Sequence, residues 1–334
     1  MTATISRQDF QSDQEVRWCP GCGDYTILAS VQTFMADAGI PKEDVVFVSG
    51  IGCAARFPYY METYGMHSIH GRAPAIASGI AAARPELSVW VVSGDGDALS
   101  IGGNHLIHAL RRNINVKILL FNNQIYGLTK GQYSPTSEAG KRTKSSPMGS
   151  IDHPFNPVSL ALGAEASFVA RTLDMDRAHT IEMLSAAHEH RGSALIEIYQ
   201  NCNVFNDKAF AELTAKDTRD TNQIRLVQGE KVLFDGGKKG VALEEGRAFV
   251  VDVEQYGEEI VHTHDATLQD PSTAFALSRL AHGPHGPTPI GIFRNVDRPV
   301  YDTEMERQIA DATAAKGPGD LAAVVRSNAT WTVG

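Results

Sequence analysis

The sequence predicts an α/β protein whose mostly parallel sheet carries helices on both faces. Two observations lead there. Short β-branched runs recur along the first two thirds of the chain, each bounded by turn residues and too short for a buried helix. Between them stand stretches of helical period or alanine-rich composition, and strands alternating with helices favour parallel pairing through crossovers. The length of 334 residues and the hydrophobic fraction of 43% suffice for a large core. Disorder and fibrous repeats are thereby excluded as the main state.

The elements follow in order. Residues 1–16 are polar and without period, an arm. Residues 24–38 (DYTILASVQTFMADA) have helical spacing and are stopped by Gly39-Ile40-Pro41. Residues 44–49 (DVVFVS) form a strand. Residues 72–84 (RAPAIASGIAAAR) form a helix in close contact with a neighbour, and Pro74 fits only its first turn. A strand over 87–93 (LSVWVVS), a helix ending near Arg111-Arg112 and a strand over 116–121 (VKILLF) continue the alternation. From Gly127 to Pro157 the chain is crowded with Gly, Ser, Pro and Thr and carries Lys130, Lys141, Arg142 and Lys144. A loop of this length inside a compact domain is usually functional. Helices over 157–163 and 175–188 and a strand over 194–199 (ALIEIY) bring the chain to Cys202. The last third is more polar, with hairpin-like pieces around Asp235-Gly236-Gly237 and no motif tied to chemistry. The organisation expected is a domain over 1–205 and an extension over 206–334 packed on it.

The net charge of −9 argues against a general affinity for nucleic acid or anionic membranes. No apolar run approaches the length of a membrane helix, and residues 1–10 lack the apolar core of a signal peptide. A soluble cytoplasmic protein is expected. In a reducing compartment four cysteines bind metal, do redox chemistry or sit inertly in the core.

Cys19 and Cys22 frame Trp18-Cys19-Pro20-Gly21-Cys22-Gly23. A thioredoxin-like pair needs an apolar strand upstream, and QSDQEVR is a poor one. Cys53 lies in a glycine-rich turn, Ser49-Gly50-Ile51-Gly52-Cys53-Ala54, directly after one strand, and Cys202 directly follows another. In a parallel sheet both project from the same edge, where the N-terminal pair can meet them. Four thiolates suit a cubane iron–sulfur cluster or a structural zinc, and buried inert thiols at Cys53 and Cys202 remain open.

Ser93-Gly94-Asp95-Gly96-Asp97 closes one strand and Phe121-Asn122-Asn123 another, with Asp95 and Asn123 28 residues apart. That spacing matches a strand–helix–strand crossover, whose strand ends are neighbours flanking a ligand crevice. Gly94 and Gly96 let backbone approach a phosphate, and Asp95 and the Asn123 amide oxygen are hard ligands of the kind Mg²⁺ prefers. No Gly-Lys-Ser/Thr follows, so this is not a Walker loop, and no third glycine makes it a dinucleotide fingerprint. His67 and His70 flank the entry to the alanine-rich helix, where a histidine is more often a cap or surface residue than a ligand.

Trp18-Cys-Pro-Gly-Cys-Gly-Asp, Gly50-Ile-Gly-Cys, His70-Gly-Arg-Ala, Gly94-Asp-Gly-Asp with Asn122-Asn, Tyr126-Gly-Leu-Thr-Lys-Gly-Gln132 and the late Cys202 stand in one order. In that order the chain resembles the β subunit of 2-oxoacid:ferredoxin oxidoreductases, more narrowly the two-subunit 2-oxoglutarate type, over residues 15–205. The resemblance implies a thiamine-diphosphate-binding fold. It places Cys19, Cys22, Cys53 and Cys202 on the ligands of a 4Fe-4S cluster, and Asp95, Asn123 and the Ile125 carbonyl on those of Mg²⁺. Ile51, Gly52, Cys53 and His70 match positions around the cofactors, as do Gly94, Gly96, Asp97 and the turn Gly127-Leu128-Thr129. Arg56 and Lys130 match positions facing the 2-oxoacid.

What is absent also follows from the resemblance. The acid that activates the aminopyrimidine ring and much of the coenzyme A pocket belong to a separate α subunit, in an αβ or (αβ)₂ assembly, on which the C-terminal extension is expected to pack. The implied reaction is oxidative decarboxylation of 2-oxoglutarate to succinyl-CoA and CO₂, reversible as carboxylation, with electrons passing to ferredoxin. Pyruvate or a broad range of 2-oxoacids is the alternative substrate. A non-redox thiamine-dependent decarboxylase and a zinc scaffold are the alternative functions.

Overall fold

In a computed structural model that describes residues 5–280 and 286–333, the chain builds two sheets. The strands are β1 (Val45–Ser49), β2 (Tyr64–His67), β3 (Ser88–Gly94), β4 (Lys117–Asn122), β5 (Phe168–Leu173) and β6 (Ala194–Tyr199), followed by β7 (Gln223–Leu226), β8 (Leu233–Phe234), β9 (Lys239–Glu244), β10 (Arg247–Asp252) and β11 (Thr288–Asn295). The large sheet runs β2-β1-β3-β4-β6-β5-β11-β7, and its neighbours are parallel except for β5 with β11. An antiparallel ribbon, β10-β9-β8, stands apart. Its β8–β9 turn is the expected hairpin around Asp235–Gly237, with Gly236 left-handed at φ 63°.

Side chains alternate across a strand, so a sheet covered twice needs apolar residues at every position. β1, β3 and β4 meet that demand. Val46, Val48, Val89, Val91, Ile118 and Leu120 join one apolar cluster, which also takes α2 (Ala73–Ala83). Val45, Phe47, Trp90, Val92, Leu119 and Phe121 join a second cluster. That cluster takes α1 (Asp24–Asp37). The alanine face of α2, Ala73, Ala77 and Ala81, is fully buried, and Pro74 sits in its first turn. The crossover from β3 to β4 contains the short helix α3 (Asp95–Leu99) and α4 (Gly103–Arg112). Asn113, left-handed at φ 55°, ends α4, and its amide donates to the carbonyls of Arg298 and Pro299, tying the late chain to the sheet.

Strands β2, β5, β7 and β11 lack a sequence signal. β2 (YGMH) is an exposed edge. β5 (FVARTL) carries Arg171 at its centre, which breaks the apolar run, yet Arg171 Nε donates to Glu197 Oε2 at 2.7 Å on neighbouring β6. Both side chains are shut from water, Arg171 lies over the rings of Tyr199 and Phe293, and Glu197 Oε1 accepts from Asn122 Nδ2 at 2.7 Å. β11 contains Pro289 and Gly291 and comes from the last third of the chain, which thus contributes β7 and β11 to the main sheet. Of the polar arm, residues 1–4 lie outside the described residues. The rest includes a 3₁₀ turn, Arg7–Phe10, that buries Phe10. No helix among the described residues is long and apolar enough to cross a membrane.

Removing one member of a buried ion pair leaves the other charged and dry. Glu197→Leu is expected to lower stability by about 3–5 kcal/mol. Urea unfolding of the β chain measures this, and a loss under 1 kcal/mol contradicts the account.

Candidate active site

Beyond the C-terminal ends of β1, β3 and β4 opens a cavity of about 1070 Å³. Parallel pairing sets Ser49 level with Val92 and Gly94 level with Phe121, so the segments that follow these strands meet at one rim. Ile51, Gly52, Cys53, His70, Gly94, Asp95, Gly96, Asp97, Asn123, Ile125, Gly127, Leu128 and Thr129 all line the cavity.

Asp97 organises one wall. Its Oδ1 accepts from the Gly71 N–H at 2.7 Å and the Ile51 N–H at 3.1 Å, and its Oδ2 from the Ser93 hydroxyl at 2.5 Å. His70 Nδ1 stands 2.5 Å from Oδ1, and because a carboxylate accepts, Nδ1 is the ring nitrogen that donates. A side chain at Gly50 would lie 2.1 Å from the Asp97 carboxylate, which is why glycine follows β1.

Asp95 is held from the long loop. The Ser134 and Thr136 hydroxyls both donate to its Oδ2, Thr136 from 2.5 Å. Burial pushes the Asp95 carboxyl up to about 6, while these two hydroxyls pull it down. The Thr136 hydroxyl is also 2.9 Å from Asn122 Oδ1, whose amide reaches Glu197, so Thr136 stands between Asp95 and the buried ion pair. Asn123 Oδ1 accepts from the Ile125 N–H at 3.2 Å, turning the chain so that Asn123 and Ile125 flank one point of the rim. Gly96 lines the cavity and carries a second constraint that its sequence position does not suggest. The space its side chain would take is filled by the Tyr126 ring, 2.1 Å from the hypothetical Cβ, and the Tyr126 hydroxyl donates to the Gly96 carbonyl at 3.2 Å.

The cysteines border a second, smaller cavity of about 210 Å³. Cys19, Cys22, Cys53 and Cys202 all line it, as do Arg56 and Lys130. Neither cation lines the large cavity. Cys53, Asn123, Gly127 and Leu128 belong to the walls of both cavities. The arrangement is built by hydrogen bonds between distant segments. The Trp18 indole donates to the Cys53 carbonyl at 2.7 Å, the Gly23 N–H to the Asn201 carbonyl at 3.1 Å, and the Asn203 amide to the Pro20 carbonyl at 2.6 Å. A Cβ on Gly127 would sit 3.4 Å from Cys53 Sγ and 3.7 Å from Cys202 Sγ, so both sulfurs rest on bare backbone. Burial raises the Cys22 thiol well above its ordinary value and pushes Cys53 up to about 12. A thiol-exchange pair needs the opposite shift. Among the described residues no three His, Cys, Asp or Glu side chains are arranged to hold a single metal ion.

Sequence reasoning missed Ser134, Thr136 and Gln200, and it placed Ser93 and Tyr126 in motifs without giving either a role. The first two stand in Ser134-Pro135-Thr136-Ser137, a polar run whose hydroxyl density was the available signal. His67 lies off the cavity, its Nδ1 near the Ser49 hydroxyl and the Ala55 carbonyl.

Residues 50–198 match the C-terminal TPP-binding domain of thiamine pyrophosphate enzymes, which defines the broad class. The chain is 57% identical over 334 residues to the 2-oxoglutarate oxidoreductase subunit KorB of Mycobacterium tuberculosis, covering 98% of this chain and 88% of that one. It is 45% identical over 195 residues to the β subunit of 2-oxoacid:ferredoxin oxidoreductase 1 of Aeropyrum pernix, covering 58% of this chain and 61% of that one. Among solved structures, it resembles a 2-oxoglutarate:ferredoxin oxidoreductase from Magnetococcus marinus with 2-oxoglutarate, coenzyme A and succinyl-CoA bound. There the TM-score is 0.77 at 31% identity, covering 98% of this chain and 97% of that one. The chain belongs to the β subunits of the 2-oxoacid:ferredoxin oxidoreductases, on the 2-oxoglutarate side of that family.

Overpacking a tight contact costs about 1–3 kcal/mol. Gly96→Ala is accordingly expected to displace Tyr126 and weaken thiamine diphosphate binding about tenfold or more, read by equilibrium titration. Unchanged affinity would mean that the Tyr126 ring does not shape the cofactor cavity.

Proposed function

We propose that this chain is the β subunit of an enzyme that oxidatively decarboxylates 2-oxoglutarate to succinyl-CoA and CO₂ and delivers the electrons to ferredoxin. The observation that carries the reading is the shared wall. Cys53, Asn123, Gly127 and Leu128 separate a cavity of cofactor size from one bordered by four cysteines.

The residues fit the groups the family uses. Asp95, Asn123 and the Ile125 carbonyl supply hard oxygens at one rim, suited to Mg²⁺ and a diphosphate. Four thiols around one cavity, with Cys202 buried, Cys22 and Cys53 half-buried and Cys19 exposed, and with no three groups among the described residues arranged around a single point, suit a 4Fe-4S cluster better than zinc. Tetrahedral zinc with 2.3 Å bonds would need sulfurs about 3.8 Å apart. When bound, thiamine diphosphate supplies carbanion chemistry at the keto carbon and the cluster accepts electrons one at a time.

The chain's own residues do the rest. Ser134 and Thr136 orient Asp95, and Asp97 fixes the His70 ring at the cavity wall. Phe121, Leu99 and Phe155 give the cavity apolar walls that exclude water from the reacting carbon. Arg56 and Lys130 line the cysteine cavity and not the large one, so the role of facing a dicarboxylate rests on the family resemblance and on their charge. Much of the coenzyme A pocket and part of the substrate cavity come from an α subunit, in an αβ or (αβ)₂ assembly working in the cytoplasm. The C-terminal third is not a separate layer, since it completes the main sheet with β7 and β11, and its last helices pack on that subunit. In helix Tyr301–Lys316 only Asp302 is buried, and Leu321, Val324, Val325, Trp331 and Val333 present exposed apolar side chains beyond it. A chain ending at residue 300 is expected to lose co-purification with α, and retention of α would contradict this.

The αβ complex, purified anaerobically, is expected to contain about four iron and four sulfide per β chain and to reduce ferredoxin with 2-oxoglutarate and coenzyme A faster than with pyruvate. An iron-free or zinc-loaded protein, or a preference for pyruvate, would sink the reading. In the same assay Arg56→Ala is expected to raise KM for 2-oxoglutarate about tenfold, the worth of one charge-assisted hydrogen bond. An unaltered KM removes Arg56 from the substrate site.

A further inference from the structure

β4 and β6 end side by side, with Asn122 level with Tyr199, so the next residues, Asn123 and Gln200, face each other across the strand ends. Asn123 Nδ2 donates to Gln200 Oε1 at 2.9 Å. Gln200 Nε2 in turn donates to Cys22 Sγ at 3.2 Å and to the Asn201 carbonyl at 2.6 Å. Neighbours fix both amides. Asn123 Oδ1 already accepts the Ile125 N–H, so its nitrogen must face Gln200, and the Asn201 carbonyl can only accept. Gln200 is 1% exposed, and no solvent competes for these bonds.

We propose that Gln200 is a positioning residue that couples the metal–diphosphate compartment to the cysteine compartment. The inference rests on the assignment of Asn123 to Mg²⁺ and Cys22 to the cluster. By accepting from the Asn123 nitrogen, Gln200 holds the amide oxygen on the metal side, the way outer partners orient metal ligands. By donating to the Cys22 sulfur, it stabilises the more negative, reduced form of the cluster. One side chain therefore sets the orientation of a magnesium ligand and the electron affinity of the acceptor next to it.

The test compares wild-type αβ complex with Gln200→Met, which loses both bonds, and Gln200→Glu, which keeps an acceptor for Asn123 but loses the donor to sulfur. Two quantities are read: the cluster's midpoint potential by electron paramagnetic resonance, and the Mg²⁺ concentration that half-saturates thiamine diphosphate binding. In Gln200→Met the ratio of reduced to oxidised cluster at fixed potential is expected to fall about tenfold, which is 59 mV for a one-electron couple. Half-saturating Mg²⁺ is expected to rise about tenfold. In Gln200→Glu the potential still falls while the Mg²⁺ requirement stays within about twofold, and that split carries the test alone where the methionine variant does not fold. Either quantity unmoved in Gln200→Met, both moved together in Gln200→Glu, or the potential unmoved there overturns the coupling. A wild-type complex with no reducible cluster overturns the cysteine assignment and the coupling together, a result distinct from normal wild-type behaviour with unresponsive variants.

Discussion

Backbone hydrogen bonds between β3, β4 and β6 hold Gly94 level with Phe121 and Asn122 level with Tyr199. Because the pairing is parallel, the residues leaving these strands emerge on the same side and at nearly the same height. Asp95, Asn123 and Cys202 come from segments far apart in sequence, yet each leaves its strand within three residues of this line. A one-residue slip of β4 would turn its apolar side chains to the opposite faces and move Asn123 off the rim, so packing on both faces guards the geometry of the site.

The polar interior depends on the same register. Arg171, Glu197 and Asn122 are hydrogen-bonded in the middle of the sheet, and Thr136, whose single hydroxyl proton is shared between Asn122 Oδ1 and Asp95 Oδ2, stands between them and the cavity. Burial raises the cost of ionising Asp95, and two hydroxyls from the long loop offset part of it. The loop therefore acts on the carboxylate directly, and its lack of helix and strand follows from the need to bring Ser134 and Thr136 back across the strand ends.

The sequence made legible what local composition controls. Runs such as VVFVS and KILLF are strands in nearly any context, and glycine-acid-glycine beside an Asn pair one crossover away marks a ligand rim. All four cysteines were legible as a set only through the order of strand ends that precede Cys53 and Cys202. What stayed hidden depends on tertiary partners. β5 has an arginine where a strand should be apolar, and only Glu197 on β6 makes that tolerable. Gly96 reads as a phosphate glycine, and Tyr126, thirty residues later, supplies a second physical reason for it. Gln200 has no local signature at all, since its meaning lies in two neighbours contributed by other segments.

The wall formed by Cys53, Asn123, Gly127 and Leu128 has a consequence for altering this protein. These residues face two compartments at once, so neither compartment can be reshaped there without disturbing the other. At Gly127 bare backbone faces both compartments, and the sulfurs of Cys53 and Cys202 lie against it. His153 and Phe155 line the large cavity and not the cysteine cavity, so a change there reshapes the first without altering the wall of the second. The fold thus divides its site into a fixed half and an adjustable half.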